Sequence, residues 1–177
     1  MKVAVCEFPD ELDRKATAWA DLKTYIDRQR PDVVVLLEMP ACSWIFLGQT
    51  FDEGLWAEAL RQHDRLIADL PRLAIDWVIS SQPVEQGGRR LNEAFVWSRQ
   101  GGYRAIRTKW YLPDAAVSRE TTWFHQGDRN FKPVDVAGMN VGVQLCSETM
   151  YPEHARQIGL AGAHPVAQPR CSTGHEL

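Results

Sequence analysis

Residues 141–153 read VGVQLCSETMYPE, and no other stretch of the chain says as much about its fold. Val141–Leu145 is apolar enough for a buried strand, and Pro152 is typical of the first turn of a helix. Cys146 therefore stands where a buried strand turns towards a helix, beside backbone N–H groups that favour negative charge on sulfur or on a bound oxyanion. A lone cysteine is more often a core residue than a nucleophile. Other motifs in the chain must decide between the two interpretations.

Two further segments end in charged residues in the same way. Residues 31–40 read PDVVVLLEMP, an apolar strand pattern that stops at Glu38. Residues 103–113 read YRAIRTKWYLP, a second strand pattern that stops at Lys109 beside aromatic residues. The sequence thus predicts a carboxylate, an ammonium and a thiol at the C-terminal ends of three strands, in that chain order.

A Glu, a Lys and a Cys in this order resemble the catalytic triad of the nitrilase, or carbon–nitrogen hydrolase, superfamily. The resemblance runs from residue 1 to about residue 170. Flanking matches support it, at the opening strand Met1–Val5, at Arg156, at Gly162-Ala163 and at Pro169-Arg170. The resemblance implies an α/β fold, a nitrilase-like four-layer α-β-β-α sandwich in which two sheets pack face to face with helices outside.

The resemblance also implies a role for each residue. Cys146 is the expected nucleophile, which forms a thioester with the substrate, and Glu38 is the general base that takes its proton. Lys109, with a backbone N–H beside Cys146, would stabilise the oxyanion of the tetrahedral intermediate. Glu120 fits a second glutamate of many relatives, which orients the lysine or the substrate amide, but a solvated loop residue is an equal alternative. The predicted activity is hydrolysis of a non-peptide carbon–nitrogen bond in an amide, carbamoyl or nitrile compound.

Residues near the predicted catalytic positions refine this expectation. Ser147 stands where nitrilases proper often carry tryptophan, which favours an amide or carbamoyl substrate. Glu148 stands where many amidases of the family carry aspartate, and we expect it to anchor the turn by hydrogen bonds rather than to take part in chemistry. Trp44, Trp110 and Trp123 are close in sequence to the predicted site, either as core residues or as the lining of a pocket for a bulky substrate.

The length of the chain raises an alternative function. In the resembled family the chain continues beyond the strand that ends near Pro169, so residues 1–177 are interpreted as one carbon–nitrogen hydrolase domain with its C-terminal part missing. Uncovered strand faces would promote association, and we expect a homo-oligomer with little activity. The alternative is a catalytically incompetent relative that acts as a binding or interaction module. A generic α/β ligand-binding domain with a coincidental Glu, Lys and Cys is a third interpretation.

Composition and charge argue against several other classes of protein. A net charge of −3 with scattered basic residues gives no reason to expect a nucleic-acid partner. The longest apolar run, Val33–Leu37, is far too short to cross a membrane, and the N-terminus does not resemble a signal peptide, so we expect a cytoplasmic protein. Four widely spaced cysteines do not resemble a disulfide framework, and the five histidines are interpreted as surface or loop residues. The expected partner is a small-molecule substrate, with no metal and no cofactor.

The remaining periodicity completes the prediction of a mixed α/β sheet. Strands are predicted at residues 2–8, 75–80, 91–98 and 102–108. Helices are predicted at residues 11–29 and 53–70, with Asp10 and Asp52 as N-caps. Residues 109–132 are predicted as a long loop rich in aromatic residues, and loops of this length are often functional.

Overall fold

The larger sheet combines a parallel half with an antiparallel half. The computed structural model describes residues 1–9, 12–44, 50–115 and 118–171 of the chain. The strands of this sheet lie in the order β1 (Val3–Val5), β2 (Val33–Val35), β3 (Trp77–Gln86), β4 (Arg89–Ser98) and β5 (Gly102–Thr108). β1, β2 and β3 run parallel, whereas β4 is antiparallel to both of its neighbours. Glu38 follows the end of β2, and Lys109 follows the end of β5.

β3 and β4 form a long hairpin that the sequence pattern revealed only in part. The predicted strand 75–80 is too short, because β3 continues to Gln86 and pairs with β4 over its whole length. Its middle contains buried polar residues, Ser80 and Ser81 among them, which interrupt the apolar pattern. Gly87 and Gly88 make the turn with φ angles of 58° and 72°, a conformation that glycine adopts without strain.

Two helices cover one face of the larger sheet. α1 spans Leu12–Gln29 and α2 spans Glu53–Asp69, close to their predicted bounds. Leu22 and Ile26 of α1 are buried in a cluster that also contains Ala4, Val34, Leu36, Val78, Phe95 and Trp97. The apolar stripe of α1 and the alternating side chains of the sheet therefore form the first core of the molecule.

The N-terminus of α2 has the predicted cap. Oδ1 of Asp52 accepts a hydrogen bond from the backbone N–H of Leu55 at 2.8 Å. Such a bond satisfies one of the donors that a helix leaves unpaired at its first turn. The other predicted cap, Asp10, lies outside the described residues.

Residues 109–132 contain more regular structure than the predicted long loop. β6 (Asp114–Ala115) and β7 (Ser118–Arg119) pair as a short antiparallel ribbon, and α3 (Glu120–Trp123) follows at once. Trp123 and Phe124 at the end of α3 are buried in a cluster with Trp56 of α2. Burial of these aromatic rings fixes the segment against the rest of the domain.

A second, smaller sheet packs face to face on the first. It consists of β8 (Val134–Val136), β9 (Met139–Val143) and β10 (Val166–Ala167), in the order β10-β9-β8. Its inner face and that of the larger sheet share one apolar cluster, formed by Val33, Val35, Ile79, Ala94, Val96, Val136, Val141, Val143, Leu145 and Ala167. The strand that leads to Cys146 is therefore buried between the two sheets.

A fourth layer, α4 (Pro152–Leu160), covers the outer face of the smaller sheet. Ile158 of α4 is buried against Gly142 of β9. A Cβ atom at position 142 would lie 2.1 Å from Cγ2 of Ile158, so a glycine there lets the helix approach the sheet closely. The order helix, sheet, sheet, helix confirms the predicted α/β sandwich.

Within the described part of the chain, no helix is long and apolar enough to cross a membrane.

An apolar cleft opens between β1 and β10, the edge strands of the two sheets. Its volume is about 390 Å³, and its lining includes Val3, Val5, Val35, Val141 and Val166. Val5 is 79% exposed and Val3 is 44% exposed. An unpaired strand edge beside exposed apolar side chains promotes association between chains.

We predict that Val5→Lys reduces association of the purified 177-residue chain. A lysine on the edge strand would leave a buried charge in any contact formed through the cleft. Leu160→Lys is the matched control, because Leu160 is also 79% exposed but does not line the cleft. Size-exclusion chromatography with light scattering measures the effect. A monomeric parent chain, or an equal effect of the two variants, would contradict the prediction.

Candidate active site

Glu38 lies in a tight turn directly after β2. Its side chain is 1% exposed, and the next residue, Met39, has a φ angle of 47°. Two serines of β3 hold this turn: Oγ of Ser80 donates to the carbonyl of Leu37 at 2.7 Å, and Oγ of Ser81 accepts from the N–H of Met39 at 3.2 Å. The buried polar residues of β3 thus fix the backbone on both sides of Glu38.

Lys109 joins two glutamates in the interior. Its Nζ donates to Oε1 of Glu38 at 2.8 Å and to Oε2 of Glu120 at 2.8 Å, and the lysine is 1% exposed. Burial alone would lower the pKa of Lys109, but the negative charges of Glu38 and Glu120 outweigh burial and raise it. The side chain is therefore a buried ammonium at neutral pH.

Glu120 is a buried partner of the lysine, so the alternative of a solvated loop glutamate is wrong. It is 1% exposed at the start of α3. Burial raises the pKa of Glu120 to about 7, with Lys109 acting against this shift and the like charge of Glu38 adding to it. Arg90 of β4 fixes the end of α3, since its Nε donates to the carbonyl of Trp123 at 2.7 Å.

Cys146 lies at the end of the segment that follows β9. It has a φ angle of 42°, which is a strained conformation for a residue with a Cβ atom. Its backbone N–H donates to the carbonyl of Pro169 at 3.0 Å. Residues 146–150 form a short 3₁₀ helix before α4 begins. The half-buried thiol is close enough to Glu38, Lys109 and Glu120 for all three charges to act on it.

The charge state of this thiol depends on its surroundings in the site. Burial is the largest effect, and together with the negative charge of Glu38 it raises the pKa of Cys146 to about 12, although Lys109 acts in the opposite direction. The backbone N–H groups near Cys146 therefore do not offset burial, and their action on a bound oxyanion stays a prediction. The thiol keeps its proton at neutral pH, and a nearby base is needed to remove it.

Glu148 connects the lysine strand with the cysteine turn. One carboxylate oxygen accepts from Nη2 of Arg107 at 2.8 Å and the other accepts from Nη1 of the same guanidinium. The backbone N–H groups of Trp110 and Leu145 also donate to Glu148, each at 2.8 Å. Burial opposes the charge, but the bonds from Arg107 and from the two N–H groups hold the pKa of Glu148 below its ordinary value. These contacts match the anchoring role predicted for Glu148.

Asn92 is a site residue that the sequence interpretation missed. It is buried in β4, and its Nδ2 donates to Oε1 of Glu38 at 2.8 Å, the oxygen that also binds Lys109. Oε2 of Glu38 and Oδ1 of Asn92 are buried and have no hydrogen-bond partner among the residues that the structure describes. Its neighbours in the predicted strand 91–98 are Leu91 and Glu93, so no local pattern marks it as a buried side chain that has to be paired.

The three tryptophans near the site divide into two groups. Trp44 and Trp123 are buried in the cluster that contains Met39, Trp56 and Phe124, so the interpretation as core residues is correct for them. Trp110 is partly exposed, and the guanidinium of Arg129 lies over its ring, at 5.2 Å from the centroid.

Among the residues that the structure describes, no group of three or more His, Cys, Asp or Glu side chains is placed to hold a metal ion.

We predict that Glu148→Ala strongly destabilises the protein. The change leaves the buried guanidinium of Arg107 without a counter-ion, which costs about 3–5 kcal/mol. Glu148→Gln is the matched control, because its amide oxygen still accepts one hydrogen bond at the same place, and its cost should be clearly smaller. Denaturant unfolding monitored by tryptophan fluorescence measures both. Equal stability of Glu148→Ala and the parent would show that the ion pair is not needed.

The sequence of this chain is similar to those of known proteins. Residues 2–176 match the sequence profile of the family described as Carbon-nitrogen hydrolase. A nitrilase from Pyrococcus abyssi is 41% identical over 106 residues, which are 58% of this chain and 37% of that protein. An N-carbamoylputrescine amidase from Solanum tuberosum is 27% identical over 85 residues, which are 48% of this chain and 28% of that protein.

Solved structures agree on the fold. The crystal structure of a carbon-nitrogen hydrolase from Helicobacter pylori G27 matches with a TM-score of 0.80 and 21% sequence identity, covering 96% of this chain and 60% of that chain. The chain therefore matches less than two thirds of the length of each of these proteins. The family profile nevertheless extends over almost every residue, and this chain belongs to the carbon-nitrogen hydrolase family.

Proposed function

We propose that this chain carries the active site of a thiol-dependent hydrolase that cleaves non-peptide carbon–nitrogen bonds in amide, carbamoyl or nitrile compounds. The observation that carries the proposal is the buried ammonium of Lys109, bound to Glu38 and Glu120 and close to the thiol of Cys146. A nucleophile, a base and a cation for developing negative charge are then within reach of one bound carbon atom.

The first step is attack by Sγ of Cys146 on the substrate carbon. Because the pKa of the thiol is raised to about 12, its proton has to leave as the new bond forms, and Glu38 is the nearby base. Oε1 of Glu38 already accepts from Lys109 and Asn92, whereas Oε2 is buried and has no hydrogen-bond partner in the described part of the chain. We therefore assign the transferred proton to Oε2.

Attack on an amide or carbamoyl carbon places negative charge on the substrate oxygen, and attack on a nitrile carbon places it on the substrate nitrogen. The ammonium of Lys109 is already in the interior, so it stabilises this charge without reorganisation of solvent, and one such donor can be worth roughly 3–4 kcal/mol. The backbone N–H of Cys146 is occupied by the carbonyl of Pro169, so we assign the second donor to the N–H of Ser147. Glu120 keeps the lysine in place through both of its oxygens.

The remaining steps return the site to its starting state. For an amide or carbamoyl substrate, the carbon–nitrogen bond breaks, the leaving ammonia or amine takes the proton from Glu38, and a thioester on Cys146 remains. A water molecule then gives a proton to Glu38 and attacks the thioester carbon. The carbon–sulfur bond breaks, the sulfur takes the proton back, and the acid is released.

The substrate class rests on the relatives and on one residue. The sequence relatives are named a nitrilase and an N-carbamoylputrescine amidase, which supports small nitrile or carbamoyl compounds as the substrates to test first. Ser147 beside the nucleophile favours the amide and carbamoyl compounds. A panel of aliphatic amides, N-carbamoyl amines and nitriles, assayed for released ammonia, identifies the preferred group.

We predict that Cys146→Ala abolishes hydrolysis, because no thioester can form without the sulfur. Cys146→Ser should retain almost no activity, since a hydroxyl is far less acidic than a thiol. Cys6→Ala is the matched control, because Cys6 packs against the core on the helix side of the larger sheet. Ammonia release and mass spectrometry of the trapped acyl-enzyme measure the outcome.

The same experiment tests the alternative of an incompetent relative. Turnover by Cys146→Ala would contradict the thiol mechanism and indicate direct attack by water. A folded parent chain that neither releases ammonia nor forms an adduct with any member of the panel would favour the alternative of a binding or interaction module.

We predict that alkylation of Cys146 by iodoacetamide is slow at neutral pH and accelerates as the pH rises towards the raised pKa of the thiol, about 12. Glu38→Gln removes a negative charge that raises this pKa, so at pH 8 it should increase the rate of alkylation by about 10-fold or more. Glu58→Gln is the charge-matched control, because Glu58 is a partly exposed glutamate of α2 that pairs with Arg61. Peptide mass spectrometry gives the rate at each cysteine. A rate that Glu38→Gln leaves unchanged would show that Glu38 does not act on the thiol.

A further inference from the structure

His63 is a buried residue that the proposed mechanism does not use. The prediction that all five histidines lie at the surface or in loops is wrong for His154 of α4 and for His63 in the middle of α2, each of which is 1% exposed. A buried imidazole requires partners for both ring nitrogens. Its partners show that it connects α2 with the turn that carries Glu38.

Both nitrogens of His63 contact the backbone. Nδ1 is 2.7 Å from the carbonyl oxygen of Ala59, one helical turn earlier, and Nε2 is 3.3 Å from the backbone nitrogen of Ala41. One neutral tautomer satisfies both contacts: Nδ1–H donates to Ala59, and the lone pair of Nε2 accepts from the N–H of Ala41. Burial lowers the pKa of His63 to about 4, with the bond to Ala59 acting against this shift, so the ring is neutral at ordinary pH.

The segment that His63 holds is strained. Met39, directly after Glu38, adopts a φ angle of 47° although it is not glycine, and such a conformation is unfavourable for a residue with a Cβ atom. It persists only if neighbouring groups fix the backbone around it. Ser81 binds the N–H of Met39, His63 binds the N–H of Ala41, and Nζ of Lys15 in α1 donates to the carbonyl of Cys42.

These contacts fix the turn from three elements. β3 holds it through Ser81, α1 through Lys15 and α2 through His63. The imidazole of His63 accepts a backbone N–H of the turn, and it is buried in α2, a helix that packs against the larger sheet. Without the imidazole, the backbone N–H of Ala41 would have no acceptor at a partly buried position. This unsatisfied donor would favour a change in the backbone conformation of the turn.

We propose that His63 is a positioning residue for Glu38. It acts through the backbone of residues 39–42 and keeps the carboxylate of Glu38 where it meets Lys109, Asn92 and the thiol of Cys146. The proposal rests on the proposed function for its effect on turnover, but its effect on the thiol is independent of any substrate.

The test uses two variants of the full chain. His63→Leu fills the space but offers no acceptor to Ala41, and His63→Gln restores an oxygen near the position of Nε2. His164→Gln is the control, because His164 also accepts a backbone N–H, that of Asn140, but is exposed on a loop that leads to β10. All variants are assayed well below their measured unfolding temperatures.

We expect His63→Leu to lower kcat by about 10- to 100-fold with KM changed less than about 3-fold, because a small displacement of a reacting group is costly while substrate contacts stay in place. His63→Gln should recover most of the lost kcat. Loss of kcat in His63→Leu together with recovery in His63→Gln supports the proposal. Unchanged kcat in a folded His63→Leu, or an equal loss in His63→Leu and His63→Gln, overturns it.

Alkylation of Cys146 separates this proposal from the proposed function. If His63→Leu displaces Glu38, the thiol at pH 8 should react faster with iodoacetamide, in the direction expected for Glu38→Gln, whether or not any amide is hydrolysed. A parent chain that hydrolyses nothing while His63→Leu accelerates alkylation would contradict the proposed function and support the role of His63. An alkylation rate that only Glu38→Gln changes would overturn the role of His63.

Discussion

The placement of one ammonium in the interior determines much of this structure. Lys109 is buried, and a buried ammonium is unstable unless negative charges and hydrogen bonds replace its water. Glu38 and Glu120 supply both, from a turn after β2 and from a short helix after β7. The like charge of Glu38 in turn raises the pKa of Glu120, and the lysine between the two glutamates acts against this shift. The three groups therefore have to be buried as one set, and the surrounding elements fix each member.

The supporting contacts come from elements that are distant in sequence. Arg107 lies two residues before Lys109 on β5, and its pair with Glu148 joins this strand to the turn of Cys146. Asn92 on β4 shares an oxygen of Glu38 with the lysine. β4 thus holds Glu38 through Asn92, β5 leads to Lys109, and Glu148 joins the end of β5 to the backbone just before Cys146. Each of these contacts is buried, so each is only weakly screened by solvent.

The sequence predicted best what depends on position along the chain. Glu38 and Cys146 follow apolar strands, Lys109 follows a strand of mixed composition, and the face-to-face sheets bring these strand ends together. It predicted least where burial depends on contacts between distant segments. A histidine in an amphipathic helix and an asparagine in a strand have no local sign that they face the interior, so His63 and Asn92 were missed. The predicted strand ended at residue 80, before the end of β3, for the same reason. Ser80 and Ser81 are polar, but they are buried and form hydrogen bonds with the turn of Glu38.

The charge state of the thiol is also a property of the assembled site. A strand-to-helix turn suggests a stabilised thiolate, yet burial and the nearby carboxylate favour the protonated form. This arrangement suits a reaction in which charge moves but does not accumulate. In the proposed mechanism, the proton passes from Cys146 to Glu38, and one negative charge leaves the carboxylate and passes through sulfur to the substrate oxygen. The sum of charges around Lys109 stays constant throughout, so the low-dielectric interior has to stabilise the same net charge at every stage and only its location changes. A preformed thiolate beside an ionised Glu38 would instead add a second negative charge before any substrate was present.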